Sequence, residues 1–190
     1  MVSEKMHEKI RTYVHGLQTY ADRIWYPPMI GFLAAIDNLV LIIPTDGILI
    51  SSSMLIPKRW LTFALNVAIG STLGGLVLAS LVEFHGLPWV LQMYPGVNET
   101  HIWAFCEEFF HQYGLLLVFI VALTPFIQQP AVILAGLANT SLLQLVTVLF
   151  VGRLIKFLIM SYLGSHAPRL LKKLWGLKGE LKDAGVQIKD

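Results

Sequence analysis

The chain has 190 residues, of which 55% are hydrophobic and only 14% charged, and its mean hydropathy is +0.65. A soluble domain carries about 25% charged residues, so the composition excludes an ordinary soluble enzyme and a disordered chain and predicts a one-domain integral membrane protein. The net charge of +2 argues against nucleic acid as a partner, and one cysteine, Cys106, permits no intrachain disulfide.

The N-terminal 28 residues mix Glu4, Lys5, Glu8, Lys9, Arg11, Asp22 and Arg23 with scattered apolar positions. A cleavable leader needs an unbroken apolar run, so none is expected. Ile10, Tyr13, Val14 and Leu17 recur at helical spacing and predict an amphipathic helix on the membrane surface, ended by Pro27-Pro28. A solvated helix packed on the rest of the protein is the alternative.

Residues 29–56 form the first apolar stretch, interrupted by Pro44, Thr45, Asp46 and Gly47. Proline and glycine there break a helix, and each half, about 14 residues or about 21 Å, is too short for a hydrocarbon core of about 30 Å. Two short helices meeting at a break predict a re-entrant hairpin, tolerated only inside protein or beside a watery cavity. Residues 60–82 contain no proline and predict a spanning helix, with Gly70, Ser71, Gly74, Gly75 and Ala79 letting another helix approach closely.

Residues 98–113 predict an outer interfacial helix, with Asn98 as its cap and Ile102, Phe105, Cys106, Phe109 and Tyr113 along one face. Its His101, Glu107, Glu108 and His111 match no specific metal-ligand spacing, and the polar face of such a helix explains them, so no metal and no cofactor is expected. A second hairpin, 114–139, is broken at Thr124–Pro130, where Pro125 and Pro130 flank Gln128 and Gln129. A second spanning helix, 141–165, carries Arg153 and Lys156. The order hairpin, span, hairpin, span is a weak internal repeat, the pattern of transporters whose broken helices meet near the bilayer midplane. The expected fold is thus an all-α membrane protein of two inverted repeats with amphipathic interfacial helices.

No Lys or Arg lies between Arg59 and Arg153. Basic residues gather instead near the N-terminus, at Lys58-Arg59 and in the tail, 166–190, where Arg169, Lys172, Lys173 and Lys178 suit anionic lipid. The positive-inside rule then puts both termini in the cytoplasm of an inner (plasma) membrane and the acidic 83–111 region outside. Arg153, about 18 Å from either end of its helix, costs at least about 3 kcal/mol in lipid and should face inward to a partner. Asp46 is the expected partner, directly or through water, with Asp37 less direct. Lys156 adds a cation, and Gln128 and Gln129 add neutral donors and acceptors. The polar cavity so formed would take an anionic headgroup, with Asp46 competing for the cations to release it.

The blocks IPTDGILISSSMLIPKRWLTFALNVAIGSTLGG and LTPFIQQPAVILAGLANTSLLQLVTVLFVGRLIKF resemble the two halves of DedA/VTT membrane proteins, specifically the YqaA-like branch. The resemblance covers roughly residues 29–165. It implies facing re-entrant hairpins and translocation of lipid: flipping of polyprenyl-phosphate carriers or phospholipids, or scrambling. By resemblance Asp46 matches the acid of the first tip and Arg153 the arginine of the last helix. Leu123, Gln128 and Gln129 stand where many members have arginines around the second tip, which argues against phosphate clamping there.

The leading expectation is therefore a lipid or lipid-linked-anion transporter, with membrane lipids as partners. The alternatives are an ion or small-solute transporter, possibly proton-coupled, and a non-catalytic scaffold. An enzyme is not expected: Ser51–Ser53 have no histidine in the apolar stretches and no GxSxG motif. The small-residue helix also permits a homodimer.

Overall fold

The computed structural model describes residues 19, 21–40, 44–124 and 128–175. Ile10, Tyr13, Val14, Leu17, Pro125 and Lys178 lie outside them, as do the side chains of Arg169, Lys172 and Lys173. The described chain is helical, with α1 (Tyr26–Val40), α2 (Thr45–Leu55), α3 (Trp60–Met93), α4 (His101–Tyr113), α5 (Leu115–Leu123), α6 (Gln129–Leu137) and α7 (Leu142–Trp175). No strand occurs among the described residues.

The four short helices fall at the predicted broken stretches. α1 has 15 residues, α2 has 11, and α5 and α6 have 9 each. None exceeds about 23 Å at helical rise. Among the described residues two segments are long and apolar enough to cross a membrane: Pro57–Met93, which is α3 with the turn before it, and Leu142–Ala167 in α7.

Several boundaries differ from expectation. Pro27 and Pro28 open α1 rather than ending the preceding helix, because proline's missing N–H and fixed φ suit a first helical turn. Pro130 likewise sits in the first turn of α6. α3 continues past Val82 to a kink at Gly86 (φ 72°, ψ −172°), with Pro88 just beyond. The expected Asn98 cap falls inside a 3-10 turn (Val97–Glu99), and the cap of α4 is Thr100, whose Oγ1 accepts from the Trp103 N–H at 3.2 Å.

The stretch 29–56 leaves and returns to one place. Tyr26 Oη and Ser52 Oγ share a hydrogen bond of 2.8 Å, and Thr45 Oγ1 donates to Asp37 Oδ2 at 3.2 Å. Arg59 reaches the Asp22 carboxylate at 3.5 Å, so the residues flanking the stretch lie together.

Packing between helices is exchanged between the halves. α1 packs on α3 and α5 on α7, each on the long helix of its own half. α2 packs on α7 and α6 on α3, each on the long helix of the other half. α3 and α7 also pack on each other, antiparallel, since Ser161 Oγ donates to the Trp60 carbonyl while Arg153 reaches Ser71. Small residues permit these approaches: a methyl on Gly70 or Gly74 would run into the α1 backbone, and one on Gly136 would sit 2.8 Å from the Ala79 carbonyl oxygen.

The interior has two apolar clusters. One gathers Ile30, Ala34, Leu49, Phe63, Val67 and Phe157; the other gathers Leu78, Val82, Trp103, Val132, Leu145 and Leu149. Between the α3 residues of the two clusters lie Ser71 and Thr72, both buried. The surface is inverted relative to a soluble protein. Leu61, Leu65, Ile69, Leu73 and Val77 form an exposed apolar ridge along α3, whereas Arg153 is 0% exposed.

Candidate functional site

Arg153 is the centre of the polar layer. Eleven positions into α7, it lies about 17 Å from the start of that helix. Its Nε donates to Gln128 Oε1 at 3.0 Å and its Nη2 to Asn38 Oδ1 at 2.7 Å, and Nη1 donates to the Ser71 carbonyl. One side chain thus ties together the end of α1, the middle of α3, the residue preceding α6 and α7. Asn38 is held in turn, its Nδ2 donating to the Ala34 carbonyl at 2.8 Å and to Ser71 Oγ at 3.1 Å. Gly75 makes room for the guanidinium: a Cβ there would lie 2.9 Å from Nη1 and 3.2 Å from Nη2.

The direct Asp46–Arg153 pair is not the one formed. Asp46 Oδ2 pairs with Lys156 Nζ at 2.9 Å. Lys156 is one helical turn beyond Arg153, toward the α2 side of α7, so its longer and more flexible arm meets the first tip while Arg153 turns to α1 and α3. The Lys156 side chain is buried and that of Asp46 is one-third exposed, so the pair sits at the mouth of the polar layer rather than in its depth. Lys156 Nζ also lies 5.0 Å from the centre of the Phe157 ring.

The other candidates divide. Asp37 accepts from Thr45 and is near enough for its charge to act on Arg153. Of the two glutamines, Gln128 joins Arg153, whereas Gln129 is buried with its Oε1 unpartnered. Thr72 Oγ1 is a second buried oxygen without a partner, next to Ser71 in sequence. Pro44 and Gly47 flank the first tip on its exposed side, and a methyl on Gly47 would meet nothing within 4 Å. Sequence reasoning missed Asn38 and the Ser71 carbonyl. An asparagine beside Asp37 in an apolar run was the available signal; a backbone carbonyl leaves none.

On α4, Trp103 and Cys106 are buried, while Ile102, Phe105 and Tyr113 face outward. The predicted single apolar face is thus split between the core and the exterior. Among the described residues no group of three or more His, Cys, Asp and Glu gathers that could hold a metal ion.

An apolar exterior, two membrane-length helices among the described residues and a buried arginine hydrogen-bonded to α1, α3 and the residue before α6 together define a helical membrane protein with an internal polar site. The chain belongs to the VTT domain (DedA) family, which matches residues 43–166, roughly two thirds of its length. An uncharacterized protein of Haemophilus influenzae is 29% identical over 136 residues, spanning 72% of this chain and 70% of the relative. No solved structure matches the chain.

Proposed function

We propose that this protein moves a lipid, or a lipid-linked anionic headgroup such as a polyprenyl phosphate or a phospholipid, across the inner membrane as a flippase or scramblase. The family is linked in general to transport or flippase-like function. The single observation that carries the reading is the coordination of Arg153. Three of its five N–H donors rest on neutral oxygens, and two of those oxygens belong to Asn38 and Gln128, at the ends of the short helices. A phosphate oxygen brings the guanidinium a Coulomb attraction and a bidentate geometry that a neutral amide oxygen lacks. A phosphate oxygen entering the layer therefore outcompetes the amides and frees the helix ends that they hold. Lys156 supplies a second cation at the mouth, and Asp46 recaptures it once the headgroup leaves.

Re-entrant hairpins and inverted repeats are part of the proposal. The exchanged packing of short helices on α3 and α7, and the meeting of Asp22 with Arg59, support it. Cytoplasmic termini follow from the basic clusters. The assignment to the YqaA-like branch, the absence of enzymatic activity and a possible homodimer belong to the same reading.

Flux in proteoliposomes tests it. Fluorescent phospholipid and polyprenyl phosphate should cross faster with wild type than with Arg153→Ala or Asp46→Ala. Equal flux in folded variants rejects the cavity as the route. Movement of an ion along its gradient, with no lipid movement, would favour the solute-transporter alternative.

A further inference from the structure

The chain from the kink in α3 to the start of α5 is bounded by two glycines of positive φ, Gly86 (φ 72°) and Gly114 (φ 53°), with a third, Gly96 (φ 76°), in the turn before α4. Neither bounding glycine is packed: a Cβ on Gly86 would meet only Pro88 at 3.7 Å, and one on Gly114 would meet nothing within 4 Å. Between them the chain does not run free over the surface. After the kink, Val90 is 0% exposed, and Trp103 and Cys106 bury themselves in the apolar cluster that also contains Val132–Ala135 of α6. Tyr94 goes further and donates its hydroxyl to the Leu39 carbonyl at 2.5 Å. Leu39 follows Asn38, whose amide oxygen holds Arg153.

We infer that residues 86–114 form a lid over one end of the polar layer, hinged at Gly86 and Gly114 and latched to α1 by Tyr94. The latch closes on the residue next to one of the two amides that the proposed cargo displaces. A shift of Asn38 away from Arg153 moves the Leu39 carbonyl with it and releases the tyrosine. Filling the site and opening the lid are thereby one mechanical event. The lid's purpose rests on the transport reading, but its existence does not.

The native thiol reports on it. Cys106 is the chain's one cysteine and is 3% exposed, on the inner face of the lid. In the full chain in nanodiscs, Tyr94→Phe keeps the ring and removes only the donor. Alkylation of Cys106 by N-ethylmaleimide should then rise about five-fold, the effect of one lost hydrogen bond on an opening equilibrium. Unchanged alkylation overturns the lid, whether or not the protein moves lipid. Ala68→Cys in a Cys106→Ser background supplies the control, since Ala68 lies in the other apolar cluster. If Tyr94→Phe accelerates labelling there equally, the whole molecule has loosened and the lid as a separate element is overturned. A rise at Cys106 alone supports it, and absence of flux in the same protein would then count against the transport reading only.

Discussion

Arg153 and Lys156 differ by one helical turn yet meet different partners, and their variants should differ accordingly. Removing Asp46 leaves a buried ammonium unpaired, which costs about 3–5 kcal/mol in a fully buried pair. Because Asp46 is one-third exposed, Asp46→Ala should fall at the low end of that range. Lys156→Met should lose less, since the carboxylate left behind can reach water. Thermal unfolding in detergent checks the order, and a larger loss from Lys156→Met would contradict the placement of the pair at the mouth. Gly75 offers a sharper test. Gly75→Ala forces a methyl against the guanidinium and against Leu149, overpacking that should destabilise by about 1–3 kcal/mol and lower flux. Gly47→Ala meets open space and should be neutral or stabilising, by up to about 1 kcal/mol, since α2 gains a better helix former. Equal losses at the two glycines would argue against the close seat of Arg153 on α3.

Among the elements, α4 has the least ordinary environment. One side buries Trp103 and Cys106; the other presents a run of tilted rings, Phe105 on Phe109 at 4.6 Å between centroids and Phe109 on Tyr113 at 5.3 Å. Burial pushes the Cys106 thiol above its ordinary range, so less thiolate is present at any given pH. Alkylation of wild-type Cys106 at pH 8 should lag behind a free thiol. It should still be climbing at alkaline pH where the free thiol has levelled off. A rate that levels off together with the free thiol would mean that Cys106 is solvated. Burial likewise raises the Tyr94 phenol, which keeps its proton and remains a donor to Leu39 at neutral pH.

At the scale of the whole molecule, the arrangement predicts a topology. Lys58 and Ile24 lie near the end where Asp22 meets Arg59, and Asn98 lies beyond the kink of α3. Helical rise from Trp60 to His85 is about 39 Å, enough to cross a bilayer. In a Cys106→Ser background, cysteines at Ile24 and Lys58 should react with an impermeant reagent from one side of the membrane, and a cysteine at Asn98 from the other. Reaction of Ile24→Cys and Lys58→Cys from opposite sides would mean that 29–56 crosses once, which removes the hairpin reading and the headgroup route with it.

Composition and the placement of Pro44 and Pro130 were enough to predict short helices alternating with two long ones, because proline's effect on a helix boundary is local, steric and written in residue type. The charge pattern marked Asp46, Arg153 and Lys156 for the same reason: an ionised group inside an apolar run is conspicuous wherever it is folded. Which acid meets which base was not local. It depended on how α2 and α3 seat against α7, and that is set by Gly75, by the reach of each side chain and by an uncharged asparagine. The kink at Gly86 and the return of Tyr94 to Leu39 were equally hidden. A backbone carbonyl carries no signature in the sequence, and only the folded chain decides which donor finds it.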